Sequence, residues 1–258
     1  MTFDIDRLRP VTLEDLLSDA ALQTRIDRKY VLATDDLSGV LAALPGSLRV
    51  LEIDRRRQFA YRTTYFDTPE LAAFHTSGRG RRRRFKVRTR VYRHSGETWL
   101  EVKTRGPRGT TVKDRLPYDL ADAGRLTDQA LDFVATTLAA HRVADVAAAT
   151  LVPSLHTSYD RTTLLLAGAG RTSRATIDSG LAWRRPGSTL SVSVPGTLIV
   201  ETKGGSSPSA LDRALWRAGR RPSRVSKYGA GLATLDDDLP DLKWHRVLTH
   251  LPTSPLTA

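Results

Sequence analysis

The sequence predicts an α+β protein, mainly antiparallel β: one eight-stranded β-barrel with peripheral helices. Three observations carry this. About eight stretches alternate charged or polar residues with apolar ones, the period of a strand. Stretches with helical spacing and capping residues fall between them. No linker and no internal repeat divides the 258 residues, a length that barrels commonly reach as a single domain.

The elements follow in order. A first helix is predicted from Thr12, with Asp15 in capping-box position. "RIDRKYVL" alternates Arg25, Asp27 and Lys29 against Ile26, Arg28 and Tyr30 and reads as a strand. "TDDLSGVLAALPG" reads as a helix capped by Thr34 and stopped at Pro45-Gly46, with Leu37, Val40, Leu41 and Leu44 on one face. "RTTYFDT" is a strand, and Thr68-Pro69 opens a short helix. "RRRRFKVRTRVY", a turn at "HSG" and "TWLEVKTR" make a hairpin, and "TTVKDRLPYDL" adds a strand. A helix runs from about Thr127 to His141. "LHTSYDRTTLLL", a turn at "GAG", "TSRATIDSGLAW" and "GTLIVETKG" are strands. "SPSALDRALWRAG" is a helix capped by Ser207 and stopped at Gly219, and a last short helix holds Leu232 and Leu235. The expected organisation is a helical lead-in over 1–21, the barrel over 22–236 and a C-terminal tail over 237–258 whose end is loosely held.

The net charge of +12 favours polyanionic partners. The absence of cysteine excludes disulfides, thiolate zinc sites and a cysteine nucleophile. No signal-peptide core and no apolar run of membrane-spanning length is present, so a soluble, cytoplasmic protein without membrane contact is expected. GxxxxGK[ST], GxGxxG after a strand and HExxH are all missing, and no histidine pair has metal spacing.

Positive charge falls on alternate positions, strand after strand. Arg82, Arg84, Lys86, Arg88 and Arg90 form one row. Trp99, Glu101, Lys103 and Arg105 form a second, Lys113 and Arg115 a third, Tyr159 and Arg161 a fourth. Arg174, Thr176 and Asp178 form a fifth, Glu201 and Lys203 a sixth. Any one such face fits the solvated side of an antiparallel sheet. As a set they read differently. The opposite faces are apolar enough to pack under helices, so a closed barrel would turn the charges inward. Unpaired buried charge is costly unless solvated or filled by an anion. Only seven of the 40 basic residues are lysine, yet Lys29, Lys86, Lys103, Lys113, Lys203 and Lys227 all fall in or beside these rows. Glu201 can be an ion-pair partner or can hold Mg²⁺ or Mn²⁺ against phosphate oxygens. Glu101 is the weaker candidate for the same role.

"DRKYVL", "TTYFDT", "KVRTRVY", "WLEVKTR", "SYDRTTL", "ATIDSGL", "LIVETKG" and "SRVSKYGAGLATL", in this order, resemble the VTC-type polyphosphate polymerase domain. That domain belongs to the triphosphate tunnel metalloenzymes, the superfamily of the CYTH proteins. The resemblance spans about residues 22 to 236. Without the SPX and membrane domains of the eukaryotic vacuolar proteins, the chain resembles a stand-alone bacterial member. The resemblance implies an eight-stranded antiparallel tunnel lined by cations. It implies phosphate contacts from Lys29, Arg88, Arg90, Lys103, Arg161, Arg174, Arg224 and Lys227, with Lys113 and Lys203 as additions. Glu201 is the implied metal ligand. One departure stands out. Where CYTH proteins carry ExExK, this chain has Arg25-Ile26-Asp27-Arg28-Lys29, so the first carboxylate is absent. That argues against classical triphosphatase or adenylyl cyclase chemistry. No aromatic platform for adenine is evident.

The leading expectation is transfer of the ATP γ-phosphoryl group to a growing polyphosphate chain, assisted by Mn²⁺ or Mg²⁺. An inorganic triphosphatase or nucleoside triphosphatase of the same fold is the first alternative. A protein that binds nucleic acid or polyphosphate without turnover is the second. Nucleic acid is the less expected partner, because the cations alternate within strands and strand aromatics are sparse. Loss of Arg88 or Arg90 is expected to leave the fold intact by relieving like-charge repulsion.

Overall fold

The computed structural model describes residues 5–18, 26–44, 47–106, 110–143, 146–168, 171–205 and 207–256. Its strands are β1 (Arg9–Val11), β2 (Ile26–Ala33), β3 (Ser47–Leu51), β4 (Phe59–Asp67), β5 (Phe85–Tyr92), β6 (Thr98–Arg105), β7 (Thr111–Pro117), β8 (Val152–Gly168), β9 (Arg171–Arg184), β10 (Ser191–Ser193), β11 (Thr197–Gly204) and β12 (Ser254–Leu256). Its helices are α1 (Leu13–Ser18), α2 (Thr34–Ala42), α3 (Ala72–Gly78), α4 (Asp128–Ala140), α5 (Ala210–Arg217), α6 (Lys227–Leu235) and α7 (His245–Leu248). The fold is mainly antiparallel β with helices; the pair β1 and β3 is parallel. The residues group into two compact units, each drawn from three stretches of chain.

The first unit comprises Met1–Phe59, Tyr159–Leu181 and Val194–Val225. Its strands pair in the order β1, β3, β8, β9, β11, β2. One sheet face presents Tyr30, Leu32, Ala175, Ile177, Leu198 and Val200 to Leu37, Val40 and Leu41 of α2 and to Leu211, Ala214 and Leu215 of α5. Both helices are amphipathic, so burial of their apolar stripes drives the packing. Asp212 ties helix to sheet. It is fully buried and accepts from Tyr30 Oη at 2.7 Å, Thr202 Oγ1 at 2.6 Å and the Ser209 amide at 2.7 Å. Burial opposes its ionisation, but the hydrogen bonds from Thr202, Tyr30 and Ser209 outweigh that and hold its pKa below the ordinary value.

The second unit comprises Ala60–Ser158, Ala182–Ser193 and Ser226–Ala258. Its strands pair in the order β7, β6, β5, β4, β8, β9, β10, β12. Val87, Leu100 and Val102 are wholly buried, as are Ala130 and Val134 of α4, which lies against β6. Asp67, at the end of β4, accepts from the amides of Thr68, Ala73 and Phe74 and from Tyr228 Oη. Tyr228 also stacks on Tyr65, with centroids 4.9 Å apart, which fixes the start of α6. Gly229 and Gly231, just beyond it, are dictated by packing. A Cβ on Gly229 would run into the Trp244 ring, and one on Gly231 would lie 2.5 Å from Trp183.

Several expectations change. The described residues form twelve strands: to the eight expected are added β1, β3, β10 and β12, which are too short or too irregular to show a period of two. Among the described residues the pairings do not close into a ring: β7 pairs with β6 only and β12 with β10 only. Charged edge positions such as Lys113 and Arg115 keep β7 from recruiting a further strand. Thr34 does not cap α2: the N-cap is Ala33, and Thr34 Oγ1 donates to Gly196 O instead. The cap of α5 is Ser209, which forms a capping box with Asp212, not Ser207. Ahead of its end, the tail is packed: Trp244 is 1% exposed, against Phe74, and Val247 and Leu251 are buried. Arg25, Pro45-Gly46 and residues 169 and 170 of "GAG" lie outside the described residues.

Candidate functional site

In the first unit, strand register builds a charged face opposite the helix-covered one. Lys29 of β2 and Thr176 of β9 lie directly across from Glu201 of β11, and Asp27 and Arg174 lie across from Lys203. Lys29 Nζ is 3.1 Å from Glu201 Oε2, and Lys203 Nζ donates to Glu201 Oε1. Each carboxylate oxygen therefore meets one ammonium. Asp178, two positions along β9 from Thr176, takes both forks of Arg161, at 2.6 and 2.8 Å. Thr176 is 4% exposed and its hydroxyl has no hydrogen-bond partner among the described residues. It is an orphaned donor beside Glu201, of the kind a ligand oxygen would satisfy. Arg224 is exposed and directly follows Ser223, whose amide donates to Lys29 O at 2.7 Å.

The second unit carries a more positive face. Lys86, Arg88 and Arg90 of β5 stand beside Lys103 and Arg105 of β6, and these beside Lys113 and Arg115 of β7. Glu101 sits among them, directly across from Arg88 on one side and Arg115 on the other. Glu101 is 2% exposed. Arg88 Nε and Nη2 approach its Oε2 at 2.7 and 2.5 Å, while Lys113 Nζ and Arg90 Nη1 lie 3.6 and 3.8 Å from its Oε1. Burial works against the carboxylate, yet Arg88, Arg90 and Lys103 together hold its pKa well below the usual range. Burial lowers the pKa of Lys113; Glu101 opposes this, and Arg115, Arg90 and Arg88 add to it. Lys86 Nζ donates to Ser226 Oγ, the residue that caps α6, and Lys227 is the first residue of that helix.

The predicted residues thus fall into two groups. Lys29, Arg161, Arg174, Glu201, Lys203 and Arg224 belong to the first unit, and Arg88, Arg90, Lys103, Lys113 and Lys227 to the second. The expected row of five cations is shorter: Arg82 and Arg84 precede β5, so only Lys86, Arg88 and Arg90 alternate within a strand. Arg88 is also paired with the buried Glu101, so its removal would relieve no simple repulsion but leave that carboxylate short of a partner.

Sequence reasoning missed residues on the second face. Thr63 pairs in register with Arg90, and both Thr63 Oγ1 and Arg90 Nε are buried with no hydrogen-bond partner among the described residues. Tyr61, Tyr65 and Tyr92 join Trp99, already placed in the second row, on this face by register, so aromatic rings are less sparse here than expected. Tyr61 and Tyr92 meet at 4.9 Å, and Arg115 lies 4.2 Å over Trp99. The signal was present, because these residues alternate with the cations, but β-formers in strands invite no further explanation.

A divalent ion was tested against this donor set. Among the described residues no three His, Cys, Asp or Glu side chains come together as a metal site. Glu201 offers a hard carboxylate, but Asp178 on the same face is committed to Arg161. The residues fit an ion that shares phosphate oxygens and water, as Mg²⁺ and Mn²⁺ do, and not one caged by protein alone.

The family model described as the VTC domain matches residues 24–236. The chain belongs to the VTC domain family. That family is an enzymatic one. Solved structures similar to this VTC chain include an adenylyl cyclase candidate from Hippeastrum with a dominant triphosphatase activity. It is 15% identical, with 85% of this chain and 99% of that chain covered and a TM-score of 0.44. An adenylate cyclase candidate from Vibrio parahaemolyticus is 13% identical, with 76% and 84% covered and a TM-score of 0.39. A conserved hypothetical protein from Pyrococcus furiosus is 11% identical, with 80% and 99% covered and a TM-score of 0.39. No curated protein matches the chain. Among the described residues no helix is long and apolar enough to cross a membrane.

Proposed function

We propose that this VTC domain is a polyphosphate polymerase that transfers the γ-phosphoryl group of ATP to the end of a polyphosphate chain. A terminal phosphate oxygen of the chain would attack the γ-phosphorus in line. The bond from that phosphorus to the β,γ-bridging oxygen would break, and ADP would leave with the electron pair. Such a transfer needs positioning and charge neutralisation more than covalent help. The observation that carries the reading is the cationic face of the second unit, with Arg90 Nε and Thr63 Oγ1 buried and unsatisfied among the described residues. Arg88, Arg90, Lys103 and Lys113 would hold phosphate oxygens there, with Lys227 as a further contact. In the first unit Lys29, Lys203, Arg161, Arg174 and Arg224 would do so, with Thr176 donating a hydroxyl. Glu201 would hold the divalent ion, Mn²⁺ or Mg²⁺, whose chemistry is to neutralise charge on the triphosphate oxygens. Lys29 and Lys203, one on each Glu201 oxygen, would orient that carboxylate and turn to an incoming phosphate.

The test is incubation of the purified chain with ATP and Mn²⁺, sizing the product on a gel and measuring ADP. Long polyphosphate with matching ADP is expected. Orthophosphate alone would make the chain a hydrolase, and no turnover despite tripolyphosphate binding would make it a binding protein. Glu201→Gln should bind tripolyphosphate at least as well as wild type but lose turnover by orders of magnitude. A Glu201→Gln chain that melts lower yet keeps its specific activity would remove Glu201 from the metal role.

A further inference from the structure

We propose that the arginine loop between α3 and β5, residues 79–84, is an exosite for long-chain inorganic polyphosphate, separate from the strand faces. This rests on the functional reading above. Arg79, Arg81, Arg82 and Arg83 are exposed, and none has a hydrogen-bonded or ion-paired side-chain partner among the described residues. The loop itself is braced. Gly80 takes φ +68°, which suits glycine, and its amide donates to Ser77 O. The Arg81 amide donates to Thr76 O at 2.9 Å, and Arg84 Nη1 donates to Arg81 O at 3.0 Å. Arg84 is thus spent on holding the turn, and its four neighbours are left free in water. Uncompensated like charges on so short a loop repel one another, and an anion with closely spaced charges relieves this. Guanidinium forks match phosphate oxygens.

The occupant follows from what the loop lacks. Its one aromatic neighbour, Phe85, is 1% exposed, so no ring is offered to a nucleic-acid base. It exposes no apolar side chain for a membrane surface to take up. A bare phosphate chain needs neither. The loop also leads directly into Lys86, the first cation of the β5 row. The loop would hold the distant part of a long chain and would not touch a short one.

The experiment combines Arg81→Ser, Arg82→Ser and Arg83→Ser in the full chain. Binding of long-chain polyphosphate and of tripolyphosphate is measured over a range of salt. Long-chain affinity should fall about tenfold, and its log–log salt slope should shrink by about two, since each lost phosphate contact removes roughly 0.7. Tripolyphosphate affinity and melting temperature should stay unchanged, and the three corresponding Arg→Lys changes should restore most long-chain binding. Equal losses for both ligands, or no loss for the long chain, would overturn the exosite. So would a larger loss for duplex DNA or phosphatidylserine vesicles than for polyphosphate at equal phosphate. If wild type makes no polyphosphate but the variant still loses long-chain binding selectively, the exosite stands and the polymerase reading fails.

Discussion

Arg88 and Glu101 offer the sharpest test of the second unit's face. Arg88→Met keeps much of the stem's bulk and removes both guanidinium contacts to Glu101 Oε2. Lys113 at 3.6 Å and Arg90 at 3.8 Å stay on the other oxygen, and Lys103 still acts on the carboxylate. Breaking a buried pair from one side costs about 3–5 kcal/mol. The remaining cations place the loss near the low end, about 3 kcal/mol. At a shift of roughly 2–4 °C per kcal/mol for a chain of this size, the melting temperature should drop by about 6–12 °C. Urea titration at pH 7 measures it directly, and the double variant with Glu101→Gln should recover part of the loss. The acid limb checks the sign. Glu101 titrates lower in the folded state, so its stabilisation is complete above its unfolded pKa of about 4.3 and is lost as pH falls through that value toward the folded one. Glu101→Gln should therefore flatten the loss of stability below about pH 4.3. A loss under about 1 kcal/mol for Arg88→Met, the range of an exposed pair, would refute the claim that this is a buried, interdependent cluster.

Three further outcomes are expected. Tripolyphosphate should raise the wild-type melting temperature more than orthophosphate at equal charge, because a ligand of the folded state alone stabilises it; calorimetry showing equal shifts would remove the preference for chained phosphates. Asp212→Asn should cost about 1–3 kcal/mol in chemical denaturation, since it sets an amide donor among groups that all donate; a neutral result would mean that the α5 capping box does not tie helix to sheet. Gly229→Ala should lower stability by about 1–3 kcal/mol through collision with Trp244, and a companion Trp244→Leu change should relieve it.

Much of the fold was legible because period and burial agree. β2, β5, β6 and β11 each set charged residues against apolar ones, and each buries the apolar face. What stayed hidden depends on distant chain. β3 is recognisable as a strand only once Leu164–Ala167 pair with it. The caps of α2 and α5 were misplaced by one or two residues because Thr34 and Ser207 have the right chemistry. The choice between neighbours fell to Gly196 O, which takes the Thr34 hydroxyl, and to Asp212, which completes the box with Ser209. The tail reads as polar, yet one tryptophan, packed where Gly229 leaves room, is enough to dock it.

The two glutamates show the limit of local reading most clearly. "EVK" at 101–103 and "ETK" at 201–203 are the same pattern, a carboxylate two residues before a lysine on a strand face. The shared pattern by itself does not explain why Glu201 ranks above Glu101 as a metal ligand. The difference lies in what the register brings opposite. Glu101 meets Arg88 and Arg115, and the Arg88 fork closes on one of its oxygens in a site 2% exposed. Glu201 meets Lys29 and Thr176, with one ammonium on each oxygen and alongside it a hydroxyl that is unsatisfied among the described residues. An arginine fork held in a buried site gives up its carboxylate only at high cost. Lysine ammoniums on flexible stems, in a pair where Lys29 is 35% exposed, can turn to an arriving phosphate and leave the carboxylate free to accept a cation. The more replaceable partners belong to Glu201, which supports the proposal of ligand exchange there and of charge balance at Glu101.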